Sequence, residues 1–259
     1  MCLINLHLKG HPIYKFILAA NRDEAYDRPT KEAHFWQDNP NLLAGRDLRL
    51  MGTWMGITKN GRFAALTNYR DPLRIQDDKR SRGEIIQNYL ISSIDSEMYI
   101  KLIHQDREEY NGFNLLVGNI DELFYYSNIS TDSHKLDPGT HSVSNHLLNT
   151  PWPKVKTAKQ QLADYVRTKE NIQAEELFKI LANNEEAPVD QLPNTGVGKE
   201  LEAKLSSIFI RTPHYGTRSS TVLLVDHHNH VTFMERTFVQ GEFLKDVSFQ
   251  FHITESLKV

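Results

Sequence analysis

The sequence predicts an α+β protein in which two antiparallel sheets pack face to face with helices outside, and three observations carry that prediction. Strand-like runs occupy both ends and the centre of the 259 residues. Most of these runs are neighbours in the chain, which favours antiparallel pairing. Helical periodicity is confined to two pairs of segments lying between the strand blocks, as a layered sandwich requires.

The first element is a hairpin. Residues 2–8 (CLINLHL) and 13–20 (IYKFILAA) flank the turn-rich tetrad Lys9-Gly10-His11-Pro12. A turn centred on Gly10 and His11 places Cys2 across from Ala19, with Asn21-Arg22-Asp23-Glu24 running just past the first strand as a charged loop. A second hairpin joins residues 52–59 to 62–68 through Asn60-Gly61, the dipeptide that suits a type I′ turn. Apolar residues at i, i+3 and i+4 then predict helices over 83–93, 96–107, 155–167 and 174–182. Further strands are predicted over 113–118, 123–127, 206–211, 217–226, 231–238 and 247–253. The charged stretch 71–82 and the Pro-containing stretch 185–198 read as loops. No internal repeat or low-complexity segment interrupts the chain, so residues 1–259 are expected to form a single domain.

Charge and composition exclude several classes of function. There are 30 Lys and Arg against 33 Asp and Glu, a formal net charge of −3, which argues against a broad nucleic-acid footprint. Uninterrupted apolar stretches such as Phe16–Ala20 and Val222–Val225 fall well short of the ~20 residues that span a bilayer. The start lacks the pattern of a secretory leader, so a cytoplasmic location is expected. A single cysteine cannot form an internal disulfide.

That cysteine is Cys2. Removal of Met1, usual when the second residue is small, leaves one residue holding both a thiol and a free α-amine. The amine titrates near ~7.7–8.0, so at neutral pH it can take the thiol's proton, the self-activation of an N-terminal nucleophile. Set against this is the plain alternative of a small residue at a chain terminus. Asp23 and Arg22 are the nearby groups suited to hold an ammonium and a thiolate. Other signals are weaker. Trp54 and Trp152 read as core or pocket wall, and His227, His228 and His230 as a solvated turn with no metal implied. The stretch 195–199 lacks the glycine and hydroxyl of a phosphate loop, and no Gly-x-Ser-x-Gly elbow occurs.

The stretches MCLINLHL, AANRDEAYDRPT, GTWMGIT, LTNYRDP, SVSNHLLNTPWPKV and YGTRSSTVLLVD resemble, in this order, the NRDE-motif family, also called the Transport and Golgi organisation 2 homologue family. The resemblance covers nearly the whole chain. It implies an N-terminal nucleophile hydrolase-like fold, a four-layer αββα sandwich. A more distant similarity to cysteine amidases of the cholylglycine hydrolase and penicillin V acylase group implies a catalytic set of Cys2, Asp23, Asn68, Asn145 and Arg218. In that set Asp23 orients the amine and Asn68 donates to an oxyanion. Asn145 holds the amine or substrate, and Arg218 stabilises charge near the nucleophile. Those amidases carry an arginine three residues before the aspartate. This chain has Ala20 there, with Arg22 beside Asp23 instead. Asn21, Arg22 and Trp54 are the candidate substrate contacts.

Two functions follow as expectations. One is a hydrolase that cleaves a non-peptide amide or an acyl thioester through a Cys2 acyl intermediate, with no cofactor. The other, implied by the family's link to haem movement and acyl-coenzyme A or lipid handling, is an intracellular carrier using the same pocket without turnover. Haem as cargo would want an axial ligand, for which His7, His146 and Cys2 are the candidates.

Overall fold

A computed structural model describes residues 2–254. Strands β1 (Cys2–Leu8) and β2 (Tyr14–Ala25) form the predicted hairpin at the middle of a six-stranded sheet. β10 (Gly139–Val143) lies beside β1, and β11 (Tyr215–Asp226), β12 (His230–Val239) and β13 (Glu242–His252) follow β2. The second sheet has seven strands in chain order: β3 (Thr30–Phe35), β4 (Leu42–Asp47), β5 (Met55–Thr58), β6 (Arg62–Asn68), β7 (Phe113–Asn119), β8 (Glu122–Ser127) and β9 (Ser133–Lys135). All named pairings are antiparallel, as sequence adjacency predicts.

Alternation along the strands builds three apolar layers. Ile4, Leu6, Leu8, Phe16 and Leu18 face Met55, Ile57, Phe63 and Leu116 between the sheets. The alternate residues Ile17, Ala19, Val222 and Leu224 pack against α3 (Pro153–Thr168) and α4 (Ala174–Leu181) through Leu162, Leu177 and Leu181. On the far side, Ala64, Leu66 and Leu115 meet Ile85, Ile86 and Tyr89 of α1 (Arg82–Ile91) and Ile100 of α2 (Ser96–Gln105). Residues with period 2 on strands thus bury one face in each layer, and the result is the αββα sandwich.

Several expectations are corrected. The opening hairpin is longer in its turn: Leu8 pairs with Phe16, so Cys2 lies opposite Arg22 and not Ala19. The added residues are affordable because the buried His11 ring accepts the Ile13 and Tyr14 N–H groups through Nδ1 at 3.2 and 3.1 Å. Asn21 to Glu24 are no loop. They continue β2, with Asn21, Arg22 and Asp23 all buried, because β11 supplies their backbone partners along the other edge. At Asn60-Gly61 only Gly61 has positive φ, +81°, and its N–H donates to Thr58 O, so the turn is not type I′. Residues 206–211 do not form a strand. Their backbone bonds go to side chains and loops: Phe209 N–H to Asn183 O, Ile210 N–H to Thr217 Oγ1, and Ile208 O from Asn21 Nδ2. Strands β3, β4, β9 and β10, and the short helix α5 (Lys199–Lys204), come in addition to the predicted elements.

Candidate active site

Cys2 opens β1 at one end of the inter-sheet space. It forms the floor of a cleft of about 370 Å³ whose wall includes Arg22, Asp23, Trp54 and Asn68, with residues 75–83 along its rim. Strand alternation puts Cys2 and Arg22 on the inter-sheet face and Asp23 on the helix face. Burial pushes the Cys2 thiol up, against the pull of the Arg22 guanidinium and a bond from the Asp23 backbone N–H, both of which favour the thiolate.

Asp23 is fully enclosed. Its Oδ1 accepts from Thr217 Oγ1 at 2.7 Å, and its backbone carbonyl accepts from Tyr215 Oη at 2.9 Å. Burial raises the carboxyl above its ordinary range, opposed chiefly by Lys154. Behind it, Asn145 is a hub. Its Oδ1 receives Ser144 Oγ at 3.1 Å, Lys154 Nζ at 3.3 Å and Arg70 Nη2 at 3.4 Å, while its Nδ2 donates to Asn68 O at 3.0 Å. Ser144 Oγ also lies 2.9 Å from the carbonyl of Cys2, which ties the hub to the strand that carries the thiol. Arg70 is itself held by a buried ion pair to Glu202 of α5, at 2.7 Å. Four of the five catalytic candidates, Cys2, Asp23, Asn68 and Asn145, therefore gather at one end of the sandwich.

Arg218 does not join them. The β2–β11 register shifts between Thr217 and Ser219, so Arg218 falls in a bulge and its Nη1 donates to Ala25 O at 2.8 Å and Arg28 O at 3.1 Å. It lines an adjoining cavity of about 170 Å³, not the Cys2 cleft. Its neighbour Thr217 is the one that reaches Asp23. Asn21 also has a different place from the one expected. Its amide is spent on Leu181 O and Ile208 O, both 2.9 Å, and on Ser220 Oγ, so it pins α4 and the 206–211 segment to the sheet.

Arg22 and Trp54 work as a pair. The guanidinium lies 4.2 Å over the indole, and its buried Nη1 has no hydrogen-bond partner among the described residues. Trp54 can lie there because position 45 is glycine: a Cβ on Gly45 would stand 2.3 Å from Trp54 Cη2. Ala20 shares the inter-sheet face of β2 with Arg22, two residues on, and belongs to the apolar core.

Sequence reasoning did not single out Lys154, Arg70, Glu202, Ser144 or Thr217. Lys154 lies just ahead of the helix predicted over 155–167 and enters it only because α3 starts at Pro153, which sets the cation in the first turn, where the dipole disfavours it. Of the three candidate haem ligands, only Cys2 lines the cleft. His7 Nδ1 is 2.8 Å from Thr140 Oγ1, and the His146 ring packs tilted against Tyr69 and Trp152. Among the described residues no group of three or more side chains is arranged to hold a metal ion, and no helix is long and apolar enough to cross a membrane.

Comparison with solved structures finds the same sandwich. A mutant conjugated bile acid hydrolase from Clostridium perfringens aligns over 100% of this chain and 99% of its own with TM-score 0.53 at 9% identity. A second variant of that hydrolase aligns over 98% and 99% with TM-score 0.51, also at 9% identity. At such identity the likeness concerns the fold, which is N-terminal nucleophile hydrolase-like. Sequence relatives are nearer. The Homo sapiens Transport and Golgi organization protein 2 homolog is 38% identical over 93% of this chain and 95% of its own, and the Drosophila melanogaster Transport and Golgi organization protein 2 is 29% identical over 92% of each. The family profile of Transport and Golgi organisation 2 matches residues 1–240. With that span and those identities, the chain belongs to the Transport and Golgi organisation 2 family.

Proposed function

We propose that this protein is a cysteine N-terminal nucleophile hydrolase that cleaves a non-peptide amide or an acyl thioester through an acyl intermediate on Cys2. The observation that carries the reading is the gathering of Cys2, Asp23 and Asn68 around one cleft, with Asn145 behind it bonded to the Asn68 carbonyl, from four separate stretches of chain. Buried polar groups are costly, and such clusters concentrate at functional sites.

With Met1 removed, the α-amine of Cys2 takes the thiol proton and the thiolate attacks the acyl carbonyl. Charge on the carbonyl oxygen is met by the Asn68 amide and the uncommitted Nη1 of Arg22, which takes the part of the cation absent at Ala20. Collapse of the adduct expels the amine or thiol, which leaves with the proton held on the α-ammonium. Water, deprotonated by the same amine, then attacks the thioester, and the carboxylic acid departs as the thiol is restored. Asp23 orients the ammonium, and Asn145 fixes the carbonyl of Asn68 and hence the end of β6.

The test is turnover of acyl amides and acyl thioesters by the processed chain and by Cys2→Ala. The variant is expected to lose turnover by roughly 10⁴-fold or to background while keeping its affinity, because the cleft walls remain. Wild-type turnover equal to that of Cys2→Ala would make the cleft a carrier's, holding haem or an acyl or lipid ligand without chemistry.

A further inference from the structure

Two spaces adjoin the Cys2 thiol, and they are made of different material. The cleft of about 370 Å³ has ionised walls, among them Glu24, Arg28, Asp47, Lys79 and Arg82. The second space is a hollow of about 10 Å³ set into the inter-sheet layer, with room for a group the size of a water or a methyl. Cys2, Arg22, Trp54 and Leu66 border both spaces. The hollow is otherwise bounded by Ile4, Ala20, Met55 and Thr221, and by Asn21, whose amide is committed to Leu181 O and Ile208 O. Its walls are mainly hydrocarbon.

Ala20 leaves that space open. It pairs with Ile4 on one side and Thr221 on the other, so the three side chains share one face of the sheet. A single methyl between two branched neighbours leaves the gap that Met55 and Leu66 border from the opposite sheet. Arg22 follows two residues on along the same face, with its buried Nη1 unpartnered among the described residues. An acyl group on the sulfur therefore lies between a guanidinium that suits its carbonyl oxygen and a hydrocarbon hollow that suits its chain. The cleft suits the opposite part of a substrate. A hydrocarbon chain laid along its walls strips water from ionised groups and replaces none of it, whereas a polar amine or thiol finds partners there.

Resting on the hydrolase reading of Cys2, we propose that the hollow is the acyl subsite and that the substrate carries a short acyl group, about two or three carbons long, on a polar leaving group that occupies the cleft. Ala20 and Met55 set the length. The hollow takes the methyl of an acetyl group, and a further carbon needs only a turn of the flexible Met55 side chain. Longer chains meet the packed layer of Ile4 and its neighbours, which yields only at a cost.

Two readouts on the processed chain test this. The first is kcat/KM over the acetyl, butanoyl, hexanoyl and octanoyl thioesters of N-acetylcysteamine, with a fall of about tenfold or more expected from acetyl to hexanoyl. Ala20→Val fills the hollow and is expected to lower acetyl turnover by about tenfold; Met55→Ala opens it, moves the optimum to longer chains, and serves should the valine variant fold poorly. The second readout needs no turnover. Methyl, propyl and hexyl methanethiosulfonates form mixed disulfides with a thiol, and intact mass gives the rate of each at Cys2 relative to free cysteine. The methyl reagent is expected to outpace the hexyl by about tenfold or more, with the gap narrowed in Met55→Ala. Equal relative rates for the three reagents, a thiol inert to all of them, or a length profile unmoved in both variants overturns the assignment. Turnover that is flat or rises with length overturns it too, a rise placing the chain on the exposed rim residues Leu50 and Ile75. Length-selective labelling of a protein that turns over no acyl substrate leaves the subsite intact and removes the hydrolase; turnover without preference for short chains does the reverse.

Discussion

The two ends of the β1–β2 ladder are made of opposite material. At the hairpin end, Leu6, Leu8, Phe16 and Leu18 close against Phe63 in an apolar layer with nothing polar to satisfy. At the Cys2 end the same two strands, equally buried, carry Asn21, Arg22 and Asp23 and draw in Asn145, Lys154 and Arg70. The first end contributes stability through area removed from water. The second gives stability up, since each buried charge must be desolvated and paired. One ladder thus serves as foundation at one end and as a reactive site at the other, and the difference shows where the fold has been bent to a chemical purpose.

The contrast can be broken from either end. Leu18→Ala removes a fully buried side chain from the apolar end and is expected to cost about 2–5 kcal/mol in chemical unfolding, with turnover per folded molecule unchanged. Loss of turnover beyond the folded fraction would mean that the two ends are not separate. Asp23→Asn acts at the other end, with an expected loss of about a hundredfold in turnover. Since Asp23 holds the proton on Lys154, whose pKa is about 8, its loss lets that proton leave at lower pH. The midpoint of the Lys154 ammonium, followed by NMR, is expected to move down accordingly, and a midpoint that moves up would contradict the influence of Asp23 on it. Gly45→Ala sharpens the comparison most gently. Its Cβ displaces Trp54 and with it the ring under Arg22, at a cost of about 1–3 kcal/mol in stability and a rise in KM larger than any fall in kcat.

How much of this was readable follows the same division. Where short apolar-rich runs follow one another closely, as in β1, β7 and β11, strands were legible and so was their antiparallel order. The sandwich followed from that order and the two helix pairs. The polar end misled. Asn21 to Glu24 look like a solvated loop because nothing local reveals that β11 will pair with them, a contact separated by about 190 residues in the chain. The apolar run Ile208-Phe209-Ile210 imitates a strand, although its backbone is held by Asn21, Asn183 and Thr217. Asn68 and Asn145 were reached through resemblance. Arg218 was reached the same way and lies elsewhere, because a one-residue bulge, invisible in the sequence, hands its place to Thr217. Lys154 was passed over because a lysine at the start of a surface helix is ordinary until the fold buries it against Asn145.

The account depends on covalent chemistry at residue 2, and one measurement reaches it directly. The processed protein is mixed with an activated acyl thioester, quenched in acid during the first turnovers, and weighed intact. The predicted mass is that of the chain without Met1 plus one acyl group, mapped to Cys2 by peptide analysis and missing from Cys2→Ala. Turnover by a chain that still carries Met1, or an acyl group found on any other residue, would contradict it.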